Sequence, residues 1–109
     1  MKRLLACSIA AASLWAQNSQ LEKGKRLFET KACYQCHGWR GQGGLAGARL
    51  AQTKLNLQGF RTFVRNPPPG GMPTYREAVL SEQELADLFA YIQSFPAPEP
   101  AVNIPLLRN

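Results

Sequence analysis

Apolar residues fall at helical spacing in three stretches of the chain, and nowhere do they alternate with polar residues at period two. The last stretch is the clearest. Leu85, Leu88, Phe89 and Ile92 stand at i, i+3, i+4 and i+7, with Phe95 one turn on. Ser81-x-x-Glu84 precedes them as a capping box, in which the hydroxyl and the carboxylate each satisfy a backbone N–H, and Pro96 closes the helix. Further upstream, Leu21, Gly24, Leu27 and Phe28 share a helical face behind a second box, Ser19-x-x-Glu22. A helix is expected to begin near Ser19 and to fade around Lys31 or Ala32. Glycine within a helix costs about 1 kcal/mol, so Gly24 on the apolar face marks the close approach of another element. A short helix is expected from Leu57 to Arg65, with Leu57, Phe60, Phe63 and Val64 facing inward, stopped by the run Pro67–Pro69. With no strand pattern and no internal repeat, the predicted class is all-α, with three to four short helices and long loops.

Two stretches lie outside this periodicity. "HGWRGQGGLAGARL" carries five glycines in fourteen residues, which suits tight turns and excludes regular structure. "PAPEPAVNIPLLRN", residues 96–109, is spaced by prolines and is expected to be an extended surface tail.

The N-terminus has its own pattern. Lys2 and Arg3 precede an apolar run from Leu4 to Ala16, which ends on a small residue before the polar "QNSQ". That is the layout of a secretory signal peptide, and the run is too short to span a bilayer. The organisation read from the sequence is a leader at 1–16, a folded domain at 17–95 and the tail at 96–109, in an exported, periplasmic protein whose mature chain has no transmembrane segment. Only six residues precede Cys7, too few for the apolar segment of a lipidation signal, so Cys7 is expected to leave with the leader.

Removing Lys2 and Arg3 leaves 11 basic against 7 acidic residues, a net charge of about +4. Without a long Lys/Arg run or a nucleic-acid motif, this charge points away from nucleic acid and towards acidic docking surfaces on protein partners.

The mature chain keeps two cysteines, Cys33 and Cys36, one histidine, His37, and one methionine, Met72. The first three form "CYQCH", the C-x-x-C-H signature of c-type haem attachment. Two thiols three positions apart at a helix end reach the two vinyl groups on one edge of a porphyrin. The next residue then lies beneath the ring, where its imidazole ligates the iron. Met72 sits in "NPPPGGMPTY", a stiff loop rather than a helix. Its thioether supplies the second axial ligand, giving the Met/His pair that raises the reduction potential. The prolines stiffen this loop, and Gly70 and Gly71 let backbone pass close to a ring. A thioredoxin-like redox pair needs a βαβ pattern that is missing, and a structural zinc site needs four ligands where three Cys/His remain.

At these residues the chain resembles a class I cytochrome c. The matching elements are Gly24-x-x-x-Phe28, Cys33-x-x-Cys36-His37, Gly71-Met72-Pro73 and "ELADLFAYIQSF", in family order over about residues 19 to 95. The resemblance implies one covalently bound haem c and first and last helices that cross, with Gly24 and Phe28 against Phe89, Tyr91 or Ile92. The family often carries a proline in a Gly-Pro-x-Leu segment after the haem motif, where a carbonyl accepts from the axial imidazole. Here "GLAGARL" puts Ala48 in that place, and a carbonyl near Gly47 or Ala48 is expected to serve. Arg40 and Arg49 are candidates to pair with haem propionates, Trp39 to cover the ring edge or anchor a loop, and Tyr75 to pack on the haem. The function implied is one-electron transfer between periplasmic redox partners, by a protein that is not an enzyme. The alternatives are a fixed cytochrome subunit of a periplasmic dehydrogenase, with "NIPLL" as a docking segment, and a small peroxidase or sulfur-compound oxidase with an open sixth iron position.

Overall fold

The computed structural model describes residues 2–107, with side chains from Ala10 onward; Cys7 and the charged pair Lys2 and Arg3 are among the residues whose side chains lie outside that range. Four α-helices follow in order: α1 (Lys2–Thr30), α2 (Cys33–His37), α3 (Leu57–Arg65) and α4 (Glu82–Gln93). Two single turns of 3-10 helix, Ala101–Asn103 and Pro105–Leu107, lie in the tail. No strand occurs among the described residues, so the class is all-α.

The fold is built on the meeting of α1 and α4. A Cβ placed on Gly24 would stand 2.6 Å from Tyr91 Cβ and closer still to the carbonyl oxygen of Asp87. No side chain fits there, which is why glycine occupies the middle of a helix despite its propensity. One turn on, Phe28 is fully buried. Its ring meets Tyr91 and Phe95 edge-on, with centroids 5.6 and 5.3 Å away, the geometry favoured by aromatic quadrupoles. Of the three α4 partners expected for Gly24 and Phe28, Tyr91 carries these contacts. Phe89 stacks instead on Phe60 of α3, at 5.1 Å. Leu85, Leu88, Phe89 and Ile92 of α4 are buried with Phe95, Leu80, Ala51, Phe60 and Val64 in one core.

α3 and α4 begin and end as the sequence indicates. Asn56 caps α3 by accepting from the Gly59 N–H at 2.8 Å. At α4 both arms of the capping box form: Ser81 Oγ accepts from Glu84 N at 3.1 Å, and Glu84 Oε1 accepts from Ser81 N at 3.0 Å. Arg61 and Arg65 of α3 both reach Glu82, in the first turn of α4, at 2.7 and 3.1 Å.

Two expectations, on Ser19 and on the tail, differ from the structure. Ser19 is interior to α1 rather than its cap, because no glycine or proline interrupts the chain before Gly24 and the Ala/Leu-rich run consists of good helix formers. Phe63, though half exposed, faces inward as expected, since it lines one interior cavity together with Phe60 and Val64. The tail curls into 3-10 turns at Pro100–Ile104 and Ile104–Leu107, closed by Asn103 N–H to Pro100 O and Leu107 N–H to Ile104 O; the φ fixed by proline, about −65°, is also that of a 3-10 turn.

Two consequences can be measured. Gly24→Ala gains about 1 kcal/mol of helix propensity but drives a Cβ into the α4 backbone, and a net loss of about 2 kcal/mol is expected in denaturant unfolding. Hydrogen bonds from Arg65 first, and from Arg61, hold the Glu82 carboxyl below its usual 4.5. The stabilisation is therefore complete above pH 4.5 and is lost as pH falls through the lower folded value. Glu82→Gln should lower the thermal midpoint at pH 7 and remove this share of the acid sensitivity.

Candidate functional site

α1 and α2 are separated by one sharp turn. Lys31 N–H and Ala32 N–H close onto Leu27 O and Glu29 O at 2.8 and 3.1 Å, and Ala32 adopts φ 62°, ψ 24°. A left-handed alanine is unfavourable by about 1–2 kcal/mol, a cost met by the packing on either side. The turn swings α2 across the end of α1 and presents Cys33, Cys36 and His37 to a cavity of about 520 Å³. Cys33 is half-buried and Cys36 exposed, and both are free thiols. Burial pushes the Cys33 thiol up to about 11, against a smaller opposing effect of a backbone hydrogen bond, so it faces the cavity as a neutral group.

The glycine loop then folds back over α2. Gly43 N–H donates to His37 O at 2.8 Å, and Leu50 and Ala51 N–H both donate to Gly41 O. This return brings Ala48 O to 2.6 Å from His37 Nδ1. Nδ1–H is then the donor and Nε2 keeps its lone pair, the tautomer a metal-ligating imidazole requires. Gly47 makes the approach possible, because a Cβ there would stand 2.7 Å from Cys36 O and 3.1 Å from His37 Nδ1.

Met72 and Tyr75 line the same cavity as Cys33, Cys36 and His37, and Met72 packs against the core. The remaining wall is mostly apolar, with Leu50, Leu55, Phe60, Phe63, Val64, Leu80, Leu88 and Ile92 upon it, and Lys31, Gln35, Arg49 and Thr53 among its polar residues. Gly70, at φ 102°, turns the chain just before Met72, and a Cβ on Gly70 or Gly71 would touch no protein atom. Tyr75 OH donates to Lys31 O at 2.8 Å. Burial raises the Tyr75 hydroxyl above its usual range, with the Cys33 and Cys36 thiols adding to the effect.

Of the weaker candidates, Arg49 lines the cavity while Arg40 does not. Trp39 is also outside the lining and lies flat on Tyr34, centroids 3.8 Å apart and planes 15° from parallel; it anchors the loop rather than covering the cavity. The sequence groups Arg65 with Lys23, Lys25, Lys31 and Lys54 as a mostly solvated basic face; instead its guanidinium is largely covered and donates to Tyr75 O and Leu80 O at 2.8 and 2.7 Å. An arginine near a helix end carries no signal for such a role.

The donor set fits haem c. Two thiols lie on one wall of a mostly apolar space, with an imidazole whose tautomer is fixed and a soft thioether on the same space. Acidic or further cysteine ligands are not gathered there, and no group of three or more His, Cys, Asp or Glu able to hold a metal ion occurs among the described residues.

Comparison with known proteins agrees. The family model for cytochrome c oxidase, cbb3-type, subunit III, matches residues 19–92. The chain is 34% identical over 86 residues to a cbb3-type cytochrome c oxidase subunit CcoP of Helicobacter pylori strain 52, covering 72% of this chain and 29% of that protein. A second Helicobacter pylori CcoP matches to the same extent. The chain thus spans about 29% of the length of these relatives. No solved structure matches significantly. With the helical fold, the C-x-x-C-H wall and a match over most of its length, the chain belongs to the family of cbb3-type cytochrome c oxidase subunit III and is a c-type cytochrome, an electron-transfer protein carrying covalently bound haem c.

Proposed function

We propose that Cys33 and Cys36 carry the two thioether links, that His37 and Met72 occupy the two axial positions, and that the domain relays single electrons as a fixed part of a larger oxidoreductase. The observation that carries the site is the convergence of these four residues on one cavity, with His37 Nδ1 committed to Ala48 O at 2.6 Å. Bound there, haem supplies a one-electron Fe(II)/Fe(III) couple.

The rest is the work of this chain. His37 presents Nε2, held in orientation by Ala48. Met72 offers a sulfur that donates poorly to ferric iron and so favours the reduced state. The apolar wall from Leu50 to Ile92 excludes water, and Arg49, which also donates to Ala51 O at 3.1 Å, offers a cation to a propionate. With both axial positions occupied, no site is left for a substrate, which disfavours the peroxidase and sulfur-oxidase readings.

Membership of a complex is supported by the CcoP relatives, each a subunit of a cbb3-type oxidase by name. That favours the fixed-subunit alternative over a freely diffusing carrier, and an oxidase over a dehydrogenase as the partner. Periplasmic placement rests on the leader-like residues 1–16. No helix among the described residues is long and apolar enough to cross a membrane.

Spectra of the haem-loaded protein test the ligands. Sharp low-spin reduced bands and a weak red ferric band are expected, with the red band lost in Met72→Ala. A high-spin spectrum indifferent to Met72 would overturn the axial assignment. Size-exclusion chromatography of the native extract tests the role: the cytochrome should co-elute with oxygen-consuming activity, and elution as a small free protein would restore the diffusing carrier. Gly47→Ala should displace the Ala48 carbonyl from His37. The imidazole then becomes less basic and stabilises ferric iron less, so redox titration should give a more positive midpoint.

A further inference from the structure

The chain on the two sides of Met72 is held very differently. From Pro67 to Thr74 no hydrogen bond ties the chain to the rest of the molecule among the described residues, and all of these residues but Pro67 and Met72 are exposed. Tyr75, three residues after Met72, is fixed at three atoms. Its N–H donates to Val64 O at 3.0 Å, its hydroxyl donates to Lys31 O at 2.8 Å, and its carbonyl accepts from Arg65 Nη1 at 2.8 Å.

Arg65 does more than complete this set. The same Nη1 donates to Leu80 O at 2.7 Å, and Nη2 reaches Glu82 Oε1 at 3.1 Å. Its side chain is only 15% exposed. One guanidinium thus closes both ends of the segment Tyr75–Leu80 and fastens it to α3 and to the start of α4. A planar fork with five donors can serve three acceptors at once; a lysine, with one nitrogen, cannot reproduce the geometry. We propose that Arg65 is the positioning residue for Met72, a role that holds only where Met72 is the axial ligand proposed above. Because the preceding loop has no hydrogen bond to the rest of the molecule, the hydrogen bonds that fix the sulfur beyond its packing on the core all lie on the Tyr75 side. Loosening that side lets an outside ligand compete for the iron, and its apparent affinity rises with the fraction of molecules in which the sulfur is displaced.

The test uses the haem-loaded protein and imidazole as the probe. Wild type, Arg65→Ala, Arg65→Lys, Arg61→Ala and Met72→Ala are compared by ferric red band, equilibrium imidazole binding and far-UV circular dichroism. Arg65→Ala should weaken the red band and bind imidazole about tenfold more tightly, as expected for losing buried hydrogen bonds. Arg65→Lys should give about a threefold effect, since charge is kept but the fork is lost. Arg61→Ala removes the other Glu82 pair without touching the two carbonyls, and should leave both readouts at wild-type values. The proposal is overturned if Arg65→Ala matches wild type, or if Arg61→Ala loosens the site as much, which would make the effect one of general stability. If Arg65→Ala fails to mature, the contrast between Arg65→Lys and Arg61→Ala decides, and equality of the two overturns it. A wild-type red band that is absent, with imidazole binding unchanged in Met72→Ala, would overturn the Met72 assignment and this role with it. A wild-type band that Met72→Ala abolishes and Arg65 variants leave intact would overturn the role alone.

Discussion

The contact of the Gly24 backbone with the Asp87 carbonyl and Tyr91 Cβ is the constraint on which the rest of the molecule depends. It sets how close α1 comes to α4, and so where Phe28 enters the core. Phe28, Tyr91 and Phe95 form a mutual edge-on cluster, with 4.9 Å between the last two. Phe95 also lies against Gly41 of the glycine loop, where a Cβ would stand 2.8 Å from its ring, and Gln52 Nε2 donates to its carbonyl at 3.0 Å. The helix crossing therefore fixes not only the core but also the base of the loop that returns to His37.

From that base the geometry of the histidine follows. α1 ends at Thr30, the left-handed Ala32 redirects the chain, and α2 is only five residues long. Such a helix has little stability of its own, because nucleation is costly and few bonds repay it. It is held by what surrounds it: Tyr34 stacked under Trp39, Gly43 N–H on His37 O, and Ala48 O on His37 Nδ1. The imidazole is thereby oriented by the loop rather than by its own helix. Ala48 serves where the family often has proline, because the acceptor is a backbone oxygen and the side chain on that residue does not enter the bond.

Much of this was legible in the sequence, for physical reasons that differ by element. α3 and α4 declared themselves because a cap, an amphipathic stripe and a stop agree at each. Gly24 was legible because a residue poor in helix propensity on a buried face needs a packing reason. The cavity that gathers the four residues proposed to hold haem was legible because few chemistries use C-x-x-C-H with one distant sulfur. The Ser19 box misled because a capping pattern acts only where the preceding chain leaves the helix, and here the preceding residues are themselves strong helix formers. Arg65 was invisible because its partners are backbone carbonyls ten and fifteen residues away, and carbonyls leave no trace in residue identity.

These differences place the two residues proposed as axial ligands in unlike surroundings. His37 sits on a short helix closed on both sides by backbone hydrogen bonds. Met72 follows a proline-rich stretch with no such bonds; beyond its packing on the core, it is anchored by hydrogen bonds from one direction, through Tyr75. Proline supplies part of what is missing, since a chain whose φ angles are already fixed at three consecutive positions has less freedom to lose on folding. Stiffness of that kind limits how far the sulfur wanders but does not specify where it rests. Position must come from the anchored side, where Val64 and Arg65 of α3 and Lys31, just past the end of α1, bond Tyr75 or Leu80. On the proposed ligation, α3 and the end of α1 thus set the methionine as well as the core, and a domain of this size holds two ligands in register although its hydrophobic interior is modest.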